Sequence, residues 1–271
     1  MYELSTLSLI ALCLVSFIGV PHGSFDGAVA ALLGFKSKKS FMLFIIGYIL
    51  ISLGVIIFWI NFSIVALTLF ILMSIIHFGL CDWSNLKVDG YKWPIALTHG
   101  MNIVLGLIFF HTHESFEIFE YLSNENFIRM KSYLIFLYII YILFIVYYCF
   151  LAINIQKLRW GLVEMLMVLI IISLLDPLTG FALYFCFVHT FKHVKAILAN
   201  ANQHLSNKKF IYTSTVIFTA LTWIGGCLTI IYMSNNISFD ESFIKTVFIG
   251  LAALTLPHMT LVDFFYRKKF N

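Results

Sequence analysis

Apolar residues follow one another along this chain in long runs, without the stripe of an amphipathic helix or the alternation of a half-buried strand, and short polar stretches separate the runs. Nine runs, at about 5–22, 41–60, 62–80, 94–110, 132–153, 160–175, 178–199, 211–233 and 243–264, approach the roughly 20 residues that carry a helix across a hydrocarbon core about 30 Å thick. In lipid the backbone must satisfy its own hydrogen bonds, so runs of this length predict helices. The sixth is short, and the pattern predicts eight or nine spans. No linker, repeat or low-complexity run divides them, so residues 1–271 are expected to form one all-α domain, a polytopic transmembrane helical bundle. The longest polar stretch, HTHESFEIFEYLSNENFIRMK at 111–131, sets Phe116, Ile118 and Phe119 among Glu114, Glu117 and Glu120. That predicts a short helix at the membrane interface, capping the bundle. Asp176-Pro177 breaks an apolar run, because proline removes a donor and restricts the residue before it; a tight turn is expected there.

Composition agrees: apolar residues make up 61% of the 271 positions and charged ones 11%, against about 45–50% and 25% in soluble domains. No basic residue precedes the first apolar run and no small-residue cleavage site follows it, so the first helix is expected to be a permanent span. Cys13, Cys81, Cys149, Cys186 and Cys227 lie in or beside apolar segments without CxxC spacing, as small buried hydrophobes do. A net charge of +4 raises the question of nucleic acid, and the distribution of the charge answers it. With nine spans and the N-terminus outside, Lys36, Lys38, Lys39, Lys87, Lys92, Lys157, Arg159, Lys192, Lys195, Lys208, Lys209, Arg267, Lys268 and Lys269 face the cytoplasm. Only Arg129, Lys131 and Lys245 face out. This is the positive-inside bias, so an N-out, C-in protein of a bacterial inner membrane is expected, with lipid rather than nucleic acid as its surroundings.

The candidate chemistry lies in histidines at membrane depth. A polar side chain in hydrocarbon costs roughly 2–7 kcal/mol unless it finds a partner. His189 and His193 stand four residues apart, one above the other on one helical face, where their ring nitrogens can converge on one ion. His22 sits in GVPHGSFDG, where Pro21 and Gly23 interrupt the helix, and such irregularity survives only where it is buried in protein or lines a cavity. Asp26, four residues on, is expected to hold the second nitrogen of His22. His77 lies in IIHFGLCDW; Asp82, five residues later, falls off its helical face, so no local pairing is expected. His258 follows Pro257 inside a span and is expected to support a ligand rather than to be one. Spans 1, 3, 7 and 9 run in one direction and carry these histidines in their later parts, hence at one depth.

His111 and His113 are read as solvated residues of the polar segment, and His99 and His204 have no evident partner. The 29 phenylalanines and 13 tyrosines suit an apolar tunnel, lipid-facing surfaces and helix packing alike. There is no HExxH, Walker A or GxGxxG motif. Three functional classes remain open on the residues alone: a non-haem metal enzyme, a bis-histidine haem bundle for electron transfer, and an ion or proton transporter. A histidine-box hydroxylase or desaturase is the nearest enzymatic alternative, although the chain has no HxxHH box.

PHGSFD at 21–26, HFGLCD at 77–82, HTFKH at 189–193 and LPHM at 256–259 together resemble the motifs of the Brp/Blh family of membrane β-carotene 15,15′-dioxygenases, in order and spacing over nearly the whole chain. The resemblance implies a non-haem Fe(2+) enzyme that splits β-carotene with O2 at its central double bond, giving two all-trans-retinal molecules, often to supply a microbial rhodopsin. It implies His22, His77, His189 and His193 as iron ligands and catalytic residues, with Asp26 and His258 in support of the cofactor. The family's first motif usually carries a small residue and leucine where this chain has Ser24 and Phe25, a departure that bears on pocket shape.

Overall fold

The computed structural model describes residues 4–83, 88, 90–125, 131–204 and 208–266, and among these the regular structure is helical throughout, without a strand. Lys87, Arg129, Arg267, Lys268 and Lys269, counted in the charge bias, lie outside the described residues. In chain order the helices are α1 (Thr6–Leu14), α2 (Asp26–Leu33), α3 (Lys38–Asn61), α4 (Ser63–Asp82), α5 (Lys92–Phe110), α6 (Thr112–Ser123), α7 (Lys131–Asn154), α8 (Gln156–Ser173), α9 (Pro177–Leu183), α10 (Thr190–His204), α11 (Lys208–Met233) and α12 (Phe239–Met259). Three of them continue through irregular turns. A π turn (Val15–Gly19) and a 3-10 turn (Val20–Phe25) join α1 to α2, a π turn (Tyr184–His189) joins α9 to α10, and a third (Thr260–Tyr266) extends α12. Such turns rotate the side chains after them out of helical phase and are common at functional sites.

Among the described residues, eight segments are long and apolar enough to cross a membrane: 6–33, 38–61, 63–82, 92–110, 134–154, 177–201, 209–233 and 239–263. The first span thus runs past the predicted end near residue 22 to Leu33, because Pro21 and Gly23 bend the helix without stopping it. It stops at Gly34, whose φ of 111° only glycine adopts without strain. Helix α8 corresponds to the short sixth run and carries Lys157, Arg159 and Glu164, yet it runs beside α5 along its whole length. Leu158 shares an apolar cluster with Ile95, the amide of Asn102 donates to Met165 O (3.2 Å), and His111 Nε2 donates to Ile172 O (2.8 Å). A helix parallel to α5 over that length crosses wherever α5 crosses.

The helices that carry His22, His77, His189, His193 and His258 all start at one end of the bundle. Leu4 N donates to Asp240 at the start of α12 (3.0 Å), and Ser8 Oγ to Asp176 at the start of α9 (3.2 Å). Asp176 also caps α9 by accepting from Thr179 N (3.1 Å), with Pro177 in the first turn, as the break there predicts. Helix α6 lies across this end as the expected cap, burying Ile118 and Leu122. Trp59 Nε1 donates to Leu122 O (2.9 Å), Ser63 Oγ to Ser123 O (2.7 Å), and the buried Lys245 ammonium to Asn124 Oδ1 (2.6 Å) and Glu241 Oε1 (2.6 Å).

Helices α4 and α5 approach backbone to backbone. A Cβ on Gly79 would lie 1.9 Å from Ala96 O, and one on Gly100 1.8 Å from Ile75 O, so only glycine fits either position. Ile75 and Gly79 form the face of α4 that meets α5, and His77 between them points away from it, toward the bundle interior.

A candidate metal centre at the helix interruptions

His22 comes from the 3-10 turn after α1, His77 from the last turns of α4, His189 from the end of the second π turn, His193 from the first turn of α10 and His258 from α12. All five are buried, at 0–8% exposure. Their rings form one cluster. Centroids of His22 lie 5.2 Å from His189, 5.6 Å from His193 and 5.2 Å from His258; those of His77 lie 5.0 Å from His189, 6.3 Å from His193 and 5.1 Å from His258; His193 and His258 are 5.0 Å apart. His189 and His193 stack nearly parallel at 5.9 Å, as i,i+4 neighbours do. Shared depth in four spans of one direction, read from the sequence, here becomes contact.

Each ring is held by its Nδ1. Asp82 accepts from His189 (3.0 Å), Asp263 from His77 (2.8 Å) and Asp26 from His258 (2.8 Å), while Gly19 O accepts from His22. Gly19 O has no proton to give, and against ionised carboxylates the other Nδ1 atoms donate likewise, which leaves each Nε2 as an acceptor. His193 Nδ1 meets the Cys81 thiol instead (3.2 Å). Two of the carboxylates are braced further, Asp82 by the Tyr184 hydroxyl and Asp26 by that of Tyr48 (2.9 Å).

The pairing of Asp26 with His22 expected from their spacing does not occur; Asp26 holds His258, and the backbone of Gly19 holds His22. The spacing argument assumed an α-helix, in which four residues bring a side chain back to within about 40°. The chain is in a 3-10 turn here, and at three residues per turn the same step leaves it about 120° away. Asp82 does not pair with His77, as expected, and turns instead to His189. The sequence reading missed Asp82, Asp263 and Cys81. For the two aspartates the available signal was a carboxylate inside an apolar span, which needs a named partner.

The Nε2 atoms of His77, His189 and His193 are buried and meet no hydrogen-bond donor. One orphaned acceptor costs about 1–3 kcal/mol, and three around one point form a poor packing core but a good cation site. Donor atoms of His22, His77 and His189 already lie within 4.8 Å of one another. Neutral imidazoles suit first-row divalent ions, and the carboxylates behind them keep the tautomer that binds. So many imidazoles around one point leave no plane for a porphyrin, which argues against the bis-histidine haem alternative.

A pocket adjoins the cluster, with His22, His77, His189 and His258 in its wall. The rest of the wall includes Phe70 and Phe78 from α4, Phe181 and Phe185 from α9 and its π turn, Phe44 from α3 and Phe218 from α11, with Ser24, Ser74, Thr222 and Thr255 among them. The other histidines stand apart. His99 stacks on Trp83 at 3.7 Å and meets Tyr148 OH at 3.0 Å, and His111 bonds Ile172 O. His113 is exposed near Glu117, and the side chain of His204 lies outside the described residues.

A family model described as beta-carotene 15,15′-dioxygenase matches residues 13–266. A beta-carotene 15,15′-dioxygenase from uncultured marine bacterium 66A03 is 30% identical over 259 residues, covering 95% of this chain and 93% of the relative. No solved structure matches.

Proposed function

The chain belongs to the β-carotene 15,15′-dioxygenase family, and from that premise we propose that it is an integral membrane enzyme cleaving β-carotene at the 15,15′ double bond with O2. In this reading His22, His77, His189 and His193 hold a non-haem Fe(II). The observation that carries it is the set of buried Nε2 atoms of His77, His189 and His193 that meet no donor, with His77 and His189 in the wall of the adjoining pocket. Iron supplies the redox chemistry that activates O2, and breaking one carbon–carbon double bond with one O2 gives two aldehydes, here two molecules of all-trans-retinal. The chain's own part is to place and to exclude. Phenylalanines of α4, α9 and α11 offer apolar surface to an uncharged polyene, keep water out, and set which bond lies beside the histidines. Regiospecificity is then a matter of position. The retinal released is the chromophore a microbial rhodopsin takes up.

The test is product analysis in cells that make β-carotene. Expression of this protein is expected to remove the orange colour in an oxygen- and iron-dependent way and to build up retinal, with no effect of added haem. Unchanged β-carotene beside folded, iron-loaded protein would reject the carotenoid substrate. Unequal apocarotenals would reject central cleavage.

We place the protein in a bacterial inner membrane with the N-terminus out and the C-terminus in, on the charge bias. In a background without the native cysteines, a membrane-impermeant maleimide applied to intact cells is expected to label Asn235→Cys, between α11 and α12, and to leave Lys36→Cys, before α3, unmodified. The opposite pattern would invert the orientation.

A further inference from the structure

His258 sits in the ring cluster as deeply as the four histidines that the motif resemblance nominates as ligands. Its centroid lies 5.0–5.2 Å from those of His22, His77 and His193, within the 5.0–6.3 Å range found among those three and His189. A residue that merely supported a ligand would touch that ligand's Nδ1 from behind. His258 touches none from behind: Gly19 O, Asp263, Asp82 and Cys81 fill those places.

The surroundings of His258 also repeat those of His189. In each case one carboxylate oxygen accepts from the histidine's Nδ1 and the same carboxylate accepts a tyrosine hydroxyl: Asp82 joins His189 to Tyr184, and Asp26 joins His258 to Tyr48. A carboxylate on one nitrogen leaves the other as a lone pair and makes it a better donor, and this is how metal-bound histidines are ordinarily backed. Pro257 cannot donate a backbone hydrogen bond, and the π turn at Thr260–Tyr266 follows at once; together they present His258 and Asp263 of one helix to the same centre.

We propose that His258 is a fifth ligand, so that the centre is a five-histidine site. This rests on the metal-centre reading above. Such a site would be held by neutral imidazoles alone, beside the pocket that His22, His77, His189 and His258 line. Tyr48 lines that pocket as well as bracing Asp26, so the occupant of the pocket and the fifth ligand share a wall residue.

The experiment is X-ray absorption at the iron edge on the purified, iron-loaded full chain, with His258→Gly and with His258→Gly in buffer containing imidazole. The wild type is expected to show five imidazole nitrogens, the variant to lose one, and imidazole to restore the wild-type spectrum. A wild type that binds no iron would reject the metal centre itself. An iron-loaded variant with an unchanged spectrum would overturn the fifth ligand and leave the centre standing. If His258→Gly does not fold, Asp26→Asn takes its place: a shifted absorption edge relative to wild type supports ligation through His258, and an identical edge overturns it.

Discussion

Replacing His189 with alanine is expected to weaken metal binding at the centre and to bring β-carotene cleavage down to background. The ring is fully buried, its Nδ1 is spoken for by Asp82, and its Nε2 faces the other imidazoles, so no neighbour can swing in to replace it. Replacing His77 with alanine is expected to do the same, because His77 is equally buried and is held by Asp263. The residues behind the rings form the second step of the series. Asp82→Asn keeps the shape and removes the charge that fixes the tautomer, and is expected to cost about 10–100-fold in activity or metal affinity. Tyr184→Phe leaves Asp82 with His189 alone and is expected to cost less. Losing a histidine also strips a buried carboxylate of its partner, which by itself destabilises a protein by about 3–5 kcal/mol. Thermal unfolding without metal therefore separates lost ligation from lost fold: a metal-free His189→Ala that melts near the metal-free wild type has lost ligation alone. His189→Ala with full metal and full activity would reject the centre as described.

Much of this centre is already carried by the hydrophobic pattern of the chain. Membrane spans are legible because lipid demands long apolar runs, and span parity then put His22, His77, His189, His193 and His258 at one depth before any contact was seen. What was not legible depends on the exact helical phase or on distant partners. Asp26 was given to His22 because an α-helical spacing was assumed across a turn that is 3-10. Asp82 pairs across 107 positions and Asp263 across 186, distances over which no local pattern reports. Helix α8 looked doubtful because Lys157, Arg159 and Glu164 dilute its hydropathy, and only its alignment with α5 shows its length.

Filling the pocket while sparing the histidines is expected to give the second large effect. Gly23 lies in the pocket wall next to His22, a Cβ built on it meets nothing within 4 Å, and its backbone is not in the left-handed region. Gly23→Ala is therefore expected to fold well, with a gain of about 0.4–1 kcal/mol from a less flexible unfolded chain, and to keep most activity. Gly23→Phe would project a ring into space the polyene needs. Holding a reacting bond even about 1 Å out of place can cost on the order of 100-fold, so cleavage of β-carotene is expected to fall at least that far. Metal content and melting temperature are expected to stay near wild type, because the new Cβ meets no ligand and no packed atom. Gly19→Ala makes the contrast, since its Cβ would meet the Phe185 ring at 2.4 Å and disturb the turn that carries His22. The comparison of Gly23 variants, read as retinal formed per metal-loaded protein, thus separates the pocket from the centre. A folded, metal-loaded Gly23→Phe that cleaves at the wild-type rate would show that the substrate approaches the histidines by another route.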